Sequence, residues 1–227
     1  KHQAETGIAL PDRQLACTYL SSQRGRNYLA AMSCGANYAW ANRQILMHLT
    51  REVFEKTLRI APRELGARLV YDVCHNIAKI ETFSVNGVER KLCVHRKGAT
   101  RAYPSGHEAI PACYKSVGQP VLIPGDMGAG SYVLAGQKKA MSDTFGSACH
   151  GAGRVMSRTQ AIKNSRGRSI AGEMAERGVL VMAGSKGTLG EEMPEAYKNL
   201  NDVVAVMHDA GIAKKVARLK ALACIKG

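Results

Sequence analysis

Residues 81–85 and 90–95 read as strand-forming runs, and the dipeptide Asn86-Gly87 lies between them. Asn and Gly both tolerate the positive φ that a type I′ turn demands, so this pair predicts a β-hairpin. Further short apolar runs at 69–73, 121–123, 131–135, 179–182 and near 216–225 predict additional strands. Upstream the texture differs. Residues 29–58 carry Ala30, Ala31, Ala36, Ala39 and Ala41 and meet no proline until Pro62, which predicts a long helix. In that helix Trp40, Ile45, Leu49 and Phe54 are expected to supply apolar bulk, with Arg43, His48, Arg51 and Lys56 toward solvent. Helices are also expected at 170–177 and 201–210. Together these elements predict an α+β fold, with mixed, mostly antiparallel strands and helices grouped around them.

A chain of 227 residues corresponds to one large domain or two small ones. No internal repeat or low-complexity linker divides it, so it is expected to fold undivided. Hydrophobic residues make up 45% of it, enough for a core. No apolar run approaches the roughly 18 residues that a membrane-spanning helix needs. The start, Lys1-His2-Gln3-Ala4-Glu5, has neither an initiator Met nor a signal-peptide pattern, and reads as the edge of an excised piece. Seven cysteines at irregular spacing, with no CxxC pair, predict neither a zinc ribbon nor a disulfide framework. They are expected to be mostly buried thiols in a reducing cytoplasm.

Thirty-two Lys and Arg against 18 Asp and Glu leave a formal charge of +14, spread along the chain. That excess favours a polyanionic partner such as nucleic acid, nucleotide phosphate or an anionic membrane surface. Aromatic residues are only 5%, which argues against a stacking platform for single strands.

Four segments are rich in polar and glycine residues that a core would not select: Asp72-Val-Cys-His-Asn76, Val94-His-Arg-Lys-Gly-Ala-Thr-Arg101, Pro124-Gly-Asp-Met-Gly-Ala-Gly-Ser131 and Ser147-Ala-Cys-His-Gly-Ala-Gly-Arg154. The third is either a phosphate cradle built from backbone N–H groups or a plain tight turn, and it is not a P-loop. In the fourth, His150 is flanked by small residues, with Arg154 and Arg158 expected one helical turn apart. It can bind phosphate, ligate a metal, act as a nucleophile, or simply be buried and hydrogen-bonded. His75 and Asn76 are expected at the end of the 69–73 strand. Residues 95–101 suit either a solvated basic hairpin end or an RNA backbone.

Taken in order, Gly7-Ile-Ala-Leu-Pro-Asp-Arg-Gln14, Asn37-Tyr-Ala-Trp-Ala-Asn-Arg43, the four segments, Glu192-Met-Pro-Glu-Ala-Tyr-Lys198 and Ile225-Lys-Gly227 resemble the C-terminal half of the RtcB family of RNA-splicing ligases. The resemblance covers nearly the whole chain. It implies an RtcB-like α+β fold, in which residues 1–227 form the C-terminal portion of one catalytic domain. It further implies a GTP- and Mn²⁺-dependent RNA ligase of tRNA splicing and RNA repair. Such an enzyme joins an RNA 3′-phosphate or 2′,3′-cyclic phosphate to a 5′-hydroxyl through a guanylylated histidine.

By this resemblance His150 is the nucleophile and His75 a manganese ligand. Asn76, Pro124, Gly125, Asp126, Met127, Ser131, Ala152, Gly153, Tyr197 and Lys226 hold GMP, and Lys97, Arg154 and Arg158 hold RNA phosphates. The family's other metal ligands (an Asp, a Cys and further histidines) lie in an N-terminal half that this chain lacks. The chain alone is therefore expected to be inactive or very weak, with that half, tRNA halves or broken RNA ends, GTP and the activating protein archease as candidate partners. A non-catalytic RNA- or nucleotide-binding module is the competing reading, and a metal-dependent phosphodiesterase a third.

Overall fold

The structure is a computed structural model, and residues 6–183 and 186–220 are described. The chain gathers into two compact units, Lys1–Val70 and Tyr71–Gly227.

The first unit is dominated by the helix Gln23–Leu58. Ser22 caps its start by accepting a hydrogen bond from the Gly25 amide, and Arg59 ends it in the left-handed conformation at φ 54°. At 1.5 Å per residue its 36 residues extend about 54 Å. It begins a turn and a half before the predicted residue 29. Trp40, Ile45, Leu49 and Phe54, expected to pack, are instead exposed, and Gly25 is the buried residue of this helix. A low amphipathic contrast accompanies the difference: large apolar groups such as Tyr38, Trp40, Ile45, Leu49, Val53 and Phe54 are spread around the helix rather than gathered on one stripe, and all are exposed.

The second unit holds three small antiparallel sheets. In the first, β1 (Asn76–Val85) and β2 (Val88–Lys97) form the hairpin anticipated at Asn86-Gly87, and both turn residues have positive φ (53° and 78°). A second pairs β3 (Ala99–Arg101) with β6 (Ser147–Cys149). The third orders β4 (Pro120–Pro124), β5 (Ser131–Gly136) and β7 (Ala213–Leu219). Val121, Ile123 and Leu134 of this sheet pack with Leu200 and Val204 of the helix Leu200–Asp209 and form the main core. A second cluster, around Met174, Met193 and Ala196, supports Met127 and Tyr197. The fold is α+β, with every strand pair antiparallel among the described residues.

Several local expectations are corrected. Residues 69–73 form no strand: apolar content alone gives no ladder, and the following hairpin pairs with itself. Residues 179–182 are irregular, with Leu180 and Met182 exposed. The predicted 216–225 strand runs over Ala213–Leu219, and its last residues lie outside the described ones. None of the six described cysteines is fully buried: Cys17, Cys34 and Cys113 are exposed and Cys74, Cys93 and Cys149 half-buried. The exposed ones sit on the long helix and on loops, where no sheet or core closes over them. Among the described residues, no helix is long and apolar enough to cross a membrane.

Candidate functional site

Gly98 is the junction of the site. It links β2 to β3 with φ +66°, and added side-chain volume there would meet nothing within 4 Å. Its requirement is therefore conformational, a left-handed backbone that glycine adopts without strain. In that conformation the Gly98 N–H donates to the His75 carbonyl at 2.9 Å, and the Gly98 carbonyl accepts from the His150 N–H at 3.1 Å. One residue thus ties two distant histidine segments together through main chain. The imidazoles then stack, centroids 3.9 Å apart and 14° from parallel. His75 lies just before β1 rather than at the end of an upstream strand, and Asn76 is the first residue of β1, in register with Lys97.

The buried Nδ1 of His150 has no hydrogen-bond partner. Burial, and then the nearby His75, lower the His150 pKa to about 4. Near neutral pH the ring is uncharged and keeps a nitrogen lone pair for an electrophile or a metal.

Two loops flank this pair. The β4–β5 connection approaches it where the Pro124 carbonyl lies 3.6 Å from the position a Gly151 β-carbon would take. Ser131 pairs with Pro124 across the neck of this loop. Within it, Asp126 Oδ1 accepts from the Gly128 amide at 2.8 Å and from the Ala129 amide at 3.0 Å, while the Gly125 amide donates to Gly130 O at 2.9 Å. Of the two readings of this loop, a tight turn fits better than a phosphate cradle. The side chain two residues before Gly128 has taken two of the N–H groups that a phosphate would use, those of Gly128 and Ala129. Asp-x-Gly was the signal in the sequence.

The loop after His150 is laid against residues 196–198. Ala152 is buried in the main core; Lys198 N donates to Gly153 O at 2.9 Å and Val155 N to Ala196 O at 2.9 Å, with Arg154 and Tyr197 forming a bridge between them. The Arg154 guanidinium bonds within the protein through each of its three nitrogens: Nε donates to Met156 O, Nη1 to the Tyr197 hydroxyl at 3.0 Å and Nη2 to Glu191 O at 2.6 Å. The Tyr197 hydroxyl donates to Glu192 Oε2. Burial, then that hydrogen bond to a carboxylate, push the phenol pKa up. Arg154 and Arg158 do not share a helix as expected. Arg154 precedes the helix Arg158–Asn164, and Arg158 is exposed with its Nε 3.4 Å from Glu191.

The 95–101 segment also departs from a purely solvated basic end. Arg96 is 3% exposed and forms a bidentate pair with Glu81 (3.0 and 2.7 Å), while also donating to Ser147 Oγ and Phe145 O. This network pins the hairpin to β6, the strand that leads into His150. Sequence reading passed over Gly98 and Glu81 as site-shaping residues. The structure thus brings His75, Asn76, Lys97, Pro124 and His150 to one place and joins Ala152, Gly153, Arg154 and Tyr197 to the adjoining loop; Lys226 lies outside the described residues. Among the described residues, no group of three His, Cys, Asp or Glu side chains is placed to hold a metal ion.

The family described as tRNA-splicing ligase RtcB matches residues 1–227. Proteins named tRNA-splicing ligase RtcB are 52% identical in Methanococcus maripaludis and 54% identical in Archaeoglobus fulgidus, each over 97% of this chain and 46% of the relative. One from Methanocaldococcus jannaschii is 54% identical over 97% of this chain and 23% of its own length. The chain belongs to the RtcB family. It spans about half the length, or less, of these relatives.

Proposed function

We propose that this chain carries the nucleotidyl-transfer part of a GTP- and manganese-dependent RNA ligase, with His150 as the nucleophile. The observation that supports this most is the His150 imidazole, kept uncharged and without a partner at Nδ1 beside a glycine-rich loop. In the proposed reaction a ring nitrogen forms a bond to the α-phosphorus of GTP as the bond to pyrophosphate breaks. An oxygen of the RNA 3′-phosphate then takes the guanylyl group, breaking the N–P bond and freeing the imidazole. A 5′-hydroxyl next attacks the activated 3′-phosphate, loses its proton, and expels GMP as the phosphodiester forms.

Asn76, the 124–127 loop, Ser131, Ala152, Gly153, Tyr197 and Lys226 are proposed to hold GMP. The Asp126 turn favours contacts to ribose or base over phosphate, since Asp126 already holds the Gly128 and Ala129 amides. Lys97 and Arg158 are proposed to hold RNA phosphates. Arg154 instead orients Tyr197. Manganese, when bound, would offset the charge of the triphosphate. A catalytic metal needs about three protein ligands, and His75 is one imidazole donor, so the described residues do not make a complete centre. The remaining ligands are proposed to lie in the part of the family's length that this chain does not span. Archease is a candidate activating partner of the longer protein.

The test is intact mass after incubation with GTP and MnCl₂, with and without the missing half supplied in trans, beside His150→Ala. A GMP-sized, acid-labile increment restored by that half and absent from the variant is expected. RNA binding with no increment under either condition would favour the non-catalytic module.

A further inference from the structure

The β1–β2 hairpin has two different faces. One, with Ile77, Phe83 and the Glu81–Arg96 pair, is closed. The other sets Asn76 opposite Lys97, Ala78 opposite His95, Ile80 opposite Cys93 and Thr82 opposite Lys91. Lys91, His95 and Lys97 are exposed on it, as are Asn76, Ile80 and Thr82, while Ala78 is covered. Its acid, Glu89, stands at the turn end opposite Ser84. Strand geometry spaces Lys97 and His95 about 7 Å apart and carries the row about 20 Å to Lys91. The row begins beside His75, the ring stacked on His150.

We propose that this open hairpin face, through Lys97, His95 and Lys91, is a docking track for the sugar-phosphate backbone of the RNA strand whose 3′ end reaches His150. The proposal rests on the ligase reading above. Charge complementarity selects the occupant: Lys97 and Lys91 stand on the face with His95 between them, its acid is confined to the far end, and the whole chain carries +14. The face presents no Phe, Tyr or Trp, so it holds phosphates rather than stacking bases, and its binding is insensitive to base sequence. Its near end, where Asn76 stands opposite Lys97, adjoins Gly98, whose backbone bonds to both histidine segments, so a strand lying along the face runs toward them.

The experiment is binding of a single-stranded RNA with a 3′-phosphate to the whole chain across a salt series, read by fluorescence anisotropy. The wild type is compared with Lys91→Gln/His95→Gln/Lys97→Gln and with Lys138→Gln/Lys139→Gln, which removes the same two lysine charges elsewhere. Loss of the two lysine charges should flatten the slope of log K against log salt by about 1.4 in the hairpin variant, with the control unchanged. Oligonucleotides of different sequence should give the same loss. An unchanged slope in the hairpin variant, an equal loss in the control, or no RNA binding by the wild type overturns the track. An unchanged slope for the longer protein overturns it too, since the rest of that protein would then cover this face. The ligase reading is judged separately, by the His150 adduct in the wild type.

Discussion

The ring of His75 lies flat against the ring of His150, with 3.9 Å between centroids. A stacked neighbour offers His150 no hydrogen-bond acceptor, and burial removes water, so the protonated form is disfavoured. The His150 pKa of about 4 sits below the ordinary 6.5. Between those values the unfolded chain binds the proton and the folded chain does not. Stability is therefore fully present above pH 6.5 and is lost as pH falls toward 4. Thermal unfolding over this range should show the decline, and His150→Ala should flatten it. The His150 ring-proton resonance should titrate with a midpoint near 4; a midpoint at 6.5 would rule out this account.

Breaking the Arg96–Glu81 pair should be the most damaging polar change in the second unit. Arg96→Ala leaves a nearly buried carboxylate without its cation and removes the donors to Phe145 O and Ser147 Oγ. A loss of about 3–5 kcal/mol is expected in urea unfolding. Replacing both partners by apolar residues should recover part of it.

Asp126 separates turn-making from charge. Asp126→Ala removes the acceptor for the Gly128 and Ala129 amides and should destabilise the loop by about 1–2 kcal/mol. Asp126→Asn keeps an oxygen for both amides and should fold nearly as well, as amide hydrogen exchange at Gly128 and Ala129 would report.

Tyr197→Phe should cost about 1.5–3 kcal/mol, because the hydroxyl serves both the Arg154 cation and the Glu192 carboxylate. Arg154→Lys should be little better than Arg154→Ala. An ammonium on a single stem cannot reach Met156 O, Glu191 O and the phenol together. Urea unfolding of the three variants checks both statements.

Elements that declare themselves by local chemistry were readable from the residues. Asn86-Gly87 fixed the hairpin, and the alanine-rich run without proline marked the long helix. The apolar runs at 121–123 and 131–135 found their ladder partners. What could not be read was decided by partners distant in sequence. Residues 69–73 have strand composition but no strand beside them. Arg96 looks like any surface cation in a basic run until Glu81 and residues 145–147 enclose it. In the site, the His150 segment and the His75 segment were each visible, yet 74 positions of intervening chain hide the stacking between them. The Asp126 loop was legible as a turn or a cradle, and only its hydrogen bonds favour the turn.

The Gly98 clamp has a consequence for how such a site can vary. Spacing between the two histidine segments is written into peptide groups, and no side-chain substitution erases a peptide N–H except proline. The residues around the rings are therefore free to drift and to retune basicity or substrate preference, while the distance between the two imidazole-bearing segments is inherited unchanged. Gly98 itself is the exception: any other residue must adopt φ +66° there, so the position tolerates little even though space is open around it.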